Sequence, residues 1–153
     1  MTAAAIGGAL TGLWFIGQKY YPDNADQCAL SPKEGVFLSA QEWLDRYFAG
    51  ENPAVGFPLA LNGTAFRKEV WDILRGIPYG KTMTYGQIAA LIAKRRGVDR
   101  FSGQAVGGAV GHNPISIVIP CHRVVGASGG LTGYAGGLER KSALLKLEGI
   151  KYV

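Results

Sequence analysis

Residues Thr84 to Pro114 read TYGQIAALIAKRRGVDRFSGQAVGGAVGHNP, and two helices joined by a polar turn can be read from them. Thr84 and Gln87 have capping-box spacing, Ile88, Leu91 and Ile92 recur on one side of a helix, and Gly97 ends the run. A second helix starts near Ser102, turns Ala105, Val106, Ala109 and Val110 toward a core, and stops at Gly111-His112-Asn113-Pro114. The pair suggests a helix-turn-helix. Its turn, Lys94-Arg95-Arg96-Gly97-Val98-Asp99-Arg100, holds four cations in seven residues, which suits phosphate contacts and equally suits a solvated basic loop. Gly107 and Gly108 each cost a helix roughly 1 kcal/mol relative to alanine. Either tight helix packing or close approach to a nucleic-acid backbone would repay the missing side chains.

Upstream, Thr64 opens another helical pattern, with Phe66, Val70, Ile73 and Leu74 on one face and Gly76 at its end. Pro53, Gly56 and Pro58 make the stretch before it a linker and put a domain boundary near Asn62, giving units 1–62 and 63–153. In the first unit the apolar segment from Ala3 to Ile16 is expected to be a strand, ending in a turn at Gly17. Ser39 and Glu42 have the spacing to start a helix carrying Trp43, Leu44, Tyr47 and Phe48.

At 153 residues, 48% hydrophobic and 18% charged, the chain can bury one core or a small domain packed on a larger one. A formal charge of +5 favours a polyanionic partner. No apolar run approaches the roughly 20 residues of a spanning helix, so no membrane association is expected. Cys28 and Cys121 match no disulfide or metal pattern, which points to a reducing compartment, by default the cytoplasm.

Downstream, the β-branched run Ile115 to Ile119 reads as a short strand stopped by Pro120. Pro120-Cys121-His122-Arg123 follows, the densest cluster of reactive side chains in the chain. A thiolate is the working nucleophile, and a nearby imidazole or cation makes it easier to form. A buried structural cysteine is the other reading. Zinc held by Cys28, His112, Cys121 and His122 lacks the short repeated spacing of a metal site, and a cysteine hydrolase would need its histidine brought in from elsewhere. A last helix spans Leu138 to Glu148, with Leu138, Leu144, Leu145 and Leu147 seeking a partner surface.

Ile117-Val118-Ile119-Pro120-Cys121-His122-Arg123-Val124-Val125 resembles the active-site signature of the O6-alkylguanine-DNA alkyltransferases. The likeness extends upstream through Ala105–Ala109 and Asn113-Pro114, and downstream through Leu131–Lys141 to Glu148-Gly149, covering roughly residues 64–149. It implies an N-terminal α/β domain like ribonuclease H, then a mainly helical domain with the helix-turn-helix, α+β overall. Cys121 would accept the alkyl group, His122 would activate it through a water, Glu148 would orient His122, and Asn113 would brace the turn. Tyr85, Tyr134, Gly136 and Val124 would form the pocket of the flipped guanine. Gln104, Ala105, Gly107, Gly108, Arg95, Arg96, Arg100 and Arg123 would face duplex DNA in the minor groove. The resemblance implies a monomer with no cofactor and no metal.

Three features depart from the family pattern. Gln104 stands where many relatives have an arginine, and glutamine lacks its charge and fork. The basic turn is longer, and Arg95, Arg96 and Arg100 are expected to supply cations the helix lacks. The first hairpin is expected to be shortened. A non-catalytic DNA binder is the rival reading, against which Cys121, His122 and Glu148 argue.

Overall fold

Gly7 and Gly8 divide the apolar N-terminal run in two. Both have positive φ, 58° and 77°, as a two-residue hairpin turn requires and glycine adopts without strain. The expected single strand is therefore a hairpin of β1 (Thr2–Ile6) and β2 (Ala9–Trp14), with Thr2 opposite Trp14 and Ile6 opposite Ala9. Leu10 and Leu13 of β2 are buried, and the strand also pairs with two distant segments. Leu10 exchanges backbone hydrogen bonds with Pro58 and Ala60, and Leu13 with Pro114 and Ser116. The second exchange fastens the N-terminal hairpin to the chain just before Cys121.

The computed structural model describes residues 1–23 and 35–152, so Cys28 lies outside the described residues. Among those described, two two-stranded sheets and five helices make a mixed α/β fold. Helix α1 (Gly35–Phe48) buries Val36, Ala40, Trp43 and Tyr47. That stripe starts a turn earlier than the spacing of Ser39 and Glu42 suggests, and places both residues inside the helix rather than at its cap. Helix α2 (Ala65–Arg75) is capped by Thr64, whose hydroxyl accepts from the Arg67 N–H.

Strand β3 (Met83–Thr84) leads into α3 (Tyr85–Arg96), where the Thr84–Gln87 capping box forms in both directions and Gly97 closes the helix at φ 65°. Ser102 caps α4 (Gly103–Gly111) by accepting from the Ala105 N–H. Helix α4 buries Val106, Ala109 and Val110 and leaves Ala105 exposed with Gln104 and Gly108. Leu91 and Leu138, expected inside, are partly exposed, because Ala89 and Ala93 take the inner face of α3 and Lys141 that of α5 (Leu138–Leu147). No helix among the described residues is long and apolar enough to cross a membrane.

Ile115 to Ile119 is not a strand. It makes only isolated bridges, Leu13 to Ile115 and Ser116 to Ile119. Ile117 has φ 71°, which β-branched residues resist. The Val118 N–H bonds the Ser116 carbonyl around it at 2.9 Å. Pro120, at φ −81° and ψ 62°, is spanned by a 2.8 Å bond from the Cys121 N–H to the Ile119 carbonyl. These are two γ-turns in succession. All three isoleucines are buried, so the β-branched run marks core burial rather than extended backbone.

Candidate active site

The turn is held open by one side chain. Asn113 Nδ2 donates to the Ile119 carbonyl at 2.7 Å and to Cys121 Sγ at 3.0 Å, while its Oδ1 accepts from the Ile115 N–H at 3.0 Å. A single amide thus fixes both ends of the turn and offers a hydrogen bond to the sulfur, which favours thiolate over thiol. Burial still dominates and pushes the Cys121 thiol upward, with the Asn113 bond and Lys141 acting against it. Cys121 begins the 3-10 turn Cys121–Arg123, followed by β4 (Val124–Val125). Strand β4 pairs in parallel with β3, Met83 beside Val124 and Thr84 beside Val125. This pairing brings Tyr85, the first residue of α3, to the cysteine turn.

His122 and Glu148 form a buried pair, Nε2 to Oε1 at 2.7 Å, with neither side chain exposed. Glu148 also accepts from Tyr47 Oη at 2.7 Å, Arg123 Nε at 2.8 Å, Arg123 Nη2 at 3.0 Å and the Gly80 N–H at 3.1 Å. Burial alone would raise the carboxyl; the bonds from His122 and Arg123 outweigh it and hold Glu148 at about 2. Burial lowers His122, so its imidazole is neutral with Nε2–H facing the carboxylate. Its Nδ1 is then a lone-pair acceptor, buried and without a hydrogen-bond partner among the described residues.

A cleft of about 640 Å³ opens between α3, α4 and the loop of residues 132–135, lined in part by Tyr85, Gly107, Gly108, Thr132, Tyr134 and Tyr20, and Cys121 lies behind this lining rather than in it. A Cys121 thiolate would raise both the Tyr85 and Tyr134 phenols, which places the three groups within electrostatic reach. Tyr85 Oη donates to the Thr132 and Gly133 carbonyls at 3.3 and 3.2 Å, and Tyr134 Oη is buried without a partner among the described residues. A Cβ on Gly136 would fall 2.6 Å from the Tyr134 ring and 3.0 Å from Phe15. Gly136 is therefore the seat of the Tyr134 ring and not itself part of the cleft lining. Val124, expected in the pocket, is fully buried in the core, and its carbonyl accepts from Lys141 Nζ at 2.5 Å.

The cations fall differently from expectation. Arg123 faces inward, bonded to Glu148 and, through Nη1, to the Ile77 carbonyl at 2.6 Å, so it is part of the site's frame rather than an exposed surface cation. Arg96 pairs with Glu69 at 2.6 Å and lies over the Phe66 and Phe101 rings, and Arg95 approaches Asp72 at 3.9 Å. The basic turn is thereby partly tied back to α2. Gln104, Ala105 and Gly108 are exposed along one side of α4, with Gly107 half-buried beside them.

Sequence reasoning missed three polar side chains that the fold brings to the site. Tyr47 read as part of an apolar helix face, yet its hydroxyl reaches Glu148 across 101 positions. Lys141 Nζ is buried between the Val124 and Thr132 carbonyls, and burial lowers it to about 8. Gln18 is buried, and its Oε1 accepts from the Ser116 hydroxyl. A polar residue inside an apolar pattern was the available signal for Lys141; no local signal marked the other two.

A cysteine held by an amide in a strained turn, near a neutral imidazole wired to a buried carboxylate, is the apparatus of a protein that uses a side-chain thiol as nucleophile. The comparisons narrow that class. Residues 65–150 match a family model described as 6-O-methylguanine DNA methyltransferase, DNA binding domain. A methylated-DNA–protein-cysteine methyltransferase of Mycobacterium tuberculosis is 47% identical over 97% of this chain and 85% of its own length. One from Methanosarcina acetivorans is 51% identical over 76% of this chain and 71% of its own. The crystal structure of Mycobacterium tuberculosis OGT in complex with DNA superposes with a TM-score of 0.82 at 46% identity, covering 96% of this chain and 85% of that one. The chain belongs to the methylated-DNA–protein-cysteine methyltransferase family.

Proposed function

We propose that the protein repairs O6-alkylguanine in DNA by direct reversal, taking the alkyl group onto Cys121. The observation that carries this is the Asn113–Cys121 turn beside the His122–Glu148 pair. The Cys121 proton passes to His122 Nδ1 through a bridging water. The sulfur then attacks the alkyl carbon, and the carbon–O6 bond breaks with its electrons going to the base. The resulting guanine anion takes a proton at a ring nitrogen from water while His122 returns its own to solvent, so the thiol proton is balanced by the one guanine gains. The products are unmodified guanine and a Cys121 thioether. Nothing in the site can cleave a thioether, so each molecule acts once and needs no cofactor. Glu148 orients the imidazole and stabilises it when protonated, and Asn113 positions the sulfur.

The base reaches the thiol by extrusion from the duplex. We read α3 and α4 as a helix-turn-helix with α4 in the minor groove. Its glycines support this: a Cβ on Gly108 would meet nothing within 4 Å and one on Gly107 only the Tyr85 ring at 3.8 Å, so internal packing demands neither. Close approach to DNA explains them better. In the pocket, Tyr85 exchanges its loop carbonyls for the base and Tyr134 walls the ring. The β1–β2 hairpin and α1 are read as part of a ribonuclease H-like unit over residues 1–62, with residues 63–153 as the transfer domain, working as a monomer in the cytoplasm.

Intact-mass analysis after mixing with methyl-, ethyl- or benzyl-O6-guanine oligonucleotides tests the reading. The wild type should gain the alkyl mass on the Cys121 peptide, and Cys121→Ser should gain none while still binding duplex. Binding by the wild type without mass gain, or uptake on Cys28, would overturn it. An O4-alkylthymine oligonucleotide in the same assay defines the range of bases.

A further inference from the structure

One wall of the cleft comes from outside the helical domain. After β2 the chain runs Gly17-Gln18-Lys19-Tyr20 and is fastened to three separate parts of the site. Gln18 Oε1 accepts from the Ser116 hydroxyl in the cysteine turn at 3.2 Å. The Lys19 N–H donates to the Ala135 carbonyl in the Tyr134 loop at 2.9 Å. The Tyr20 ring stacks on His112 at the end of α4, centroids 3.9 Å apart, and a Cβ on Gly111 would lie 3.7 Å from it.

Two properties of this strap are unexplained by packing. Tyr20 has φ 61°, a conformation that glycine or asparagine would hold with less strain, yet the residue is 46% exposed. Its side chain therefore contributes little core burial to offset the backbone strain. Lys19 is exposed, its Nζ 4.9 Å from the centre of the Tyr20 ring, and among the described residues that line the cleft it is the one cation. The other lining side chains are uncharged, so an anion brought into the cleft would meet its charge there.

Resting on the repair reading above, we propose that Lys19 and Tyr20 are DNA contacts supplied by the N-terminal unit: Lys19 neutralises a phosphate flanking the extruded nucleotide, and the Tyr20 ring packs against that nucleotide at the mouth of the pocket. The strap's anchorage to α4, the cysteine turn and the Tyr134 loop sets this cation in fixed register with the thiol. An N-terminal residue would then contribute directly to recognition of the damaged strand.

The test measures binding of the full-length chain, in the Cys121→Ser background, to a duplex holding one O6-methylguanine. Lys19→Ala should flatten the slope of log binding constant against log salt by about 0.9, the value of one duplex phosphate contact. Replacing the phosphates flanking the lesion one at a time by methylphosphonate should weaken the Lys19-containing protein at one position, and Lys19→Ala should be indifferent at that position. Tyr20→Ala should weaken binding to the lesion duplex more than to the undamaged duplex, because only the former presents an extruded nucleotide. An unchanged salt slope in Lys19→Ala, or equal methylphosphonate losses with and without Lys19, would overturn the proposal. If the parent Cys121 protein fails to take up alkyl mass, the repair reading falls instead.

Discussion

Replacing Glu148 by glutamine tests the electrostatic logic of the site. The substitution keeps shape and removes charge where five donors from four residues converge on a carboxylate with no exposed side-chain surface. Holding a carboxyl at about 2 in the fold against an ordinary 4.5 corresponds to about 3 kcal/mol at most, at 1.36 kcal/mol per pKa unit. Breaking a buried ion pair and stranding the Arg123 guanidinium suggests a similar 3–5 kcal/mol. For a chain of this size that is a fall in Tm of roughly 6–20 °C at pH 7. The sign with pH follows from the depressed pKa: the stabilisation is complete above about 4.5 and lost as pH falls toward about 2. Wild type and Glu148→Gln should therefore differ by about 3 kcal/mol at pH 7 and by roughly half that at pH 3, read from denaturant unfolding at both values. Alkyl uptake by the folded variant should slow by orders of magnitude, because glutamine cannot stabilise the imidazolium. Equal stabilities at pH 7, a gap that persists unchanged at pH 3, or wild-type uptake would each refute the reasoning.

Asn113→Asp keeps the acceptor for Ile115 but sets a carboxylate against the Ile119 carbonyl and Cys121 Sγ; loss of about 3 kcal/mol of thiolate stabilisation would slow uptake about 100-fold, and a rate near wild type in single-turnover assays would remove Asn113 from the mechanism. Alanine at Arg95, Arg96 and Arg100 together should flatten the salt slope of duplex binding by about 0.9, since Arg95 and Arg96 already face Asp72 and Glu69; a loss near three times that value would show that both leave their carboxylates for phosphates. Gln104→Ala, at an exposed position on α4, should slow transfer on duplex more than on single strands, where no partner base is orphaned, and equal slowing on both substrates would exclude a part in extrusion.

The helical half was legible in the sequence because its signals are local. Caps at Thr64, Thr84 and Ser102, and stops at Gly76 and Gly97, are decided by side chains within a turn of the backbone they serve. Cys121 and His122 were legible because they sit together in one short reactive cluster, and Asn113 and Glu148 came with the family resemblance. The resemblance implied an N-terminal hairpin, but the local pattern read as one strand because the glycines that form its turn, Gly7 and Gly8, looked like interruptions. The Ile115–Ile119 strand was a misreading because β-branching reports burial and extension alike, and here burial of the isoleucines won over backbone preference.

The sequence by itself determined which groups could react: a lone thiol in a Pro-Cys-His-Arg cluster, a helix pair and a surplus of positive charge. Only the tertiary structure decided which charges are spent inside the molecule. Arg123 looked like a cation for DNA and is consumed by Glu148; Tyr47, in a helix 101 positions away, closes the same carboxylate; and Lys19, unremarked in its loop, is left at the cleft. Local propensity acts over a few residues, whereas the pairing of a buried charge is settled by whichever donors the whole fold brings within hydrogen-bond distance.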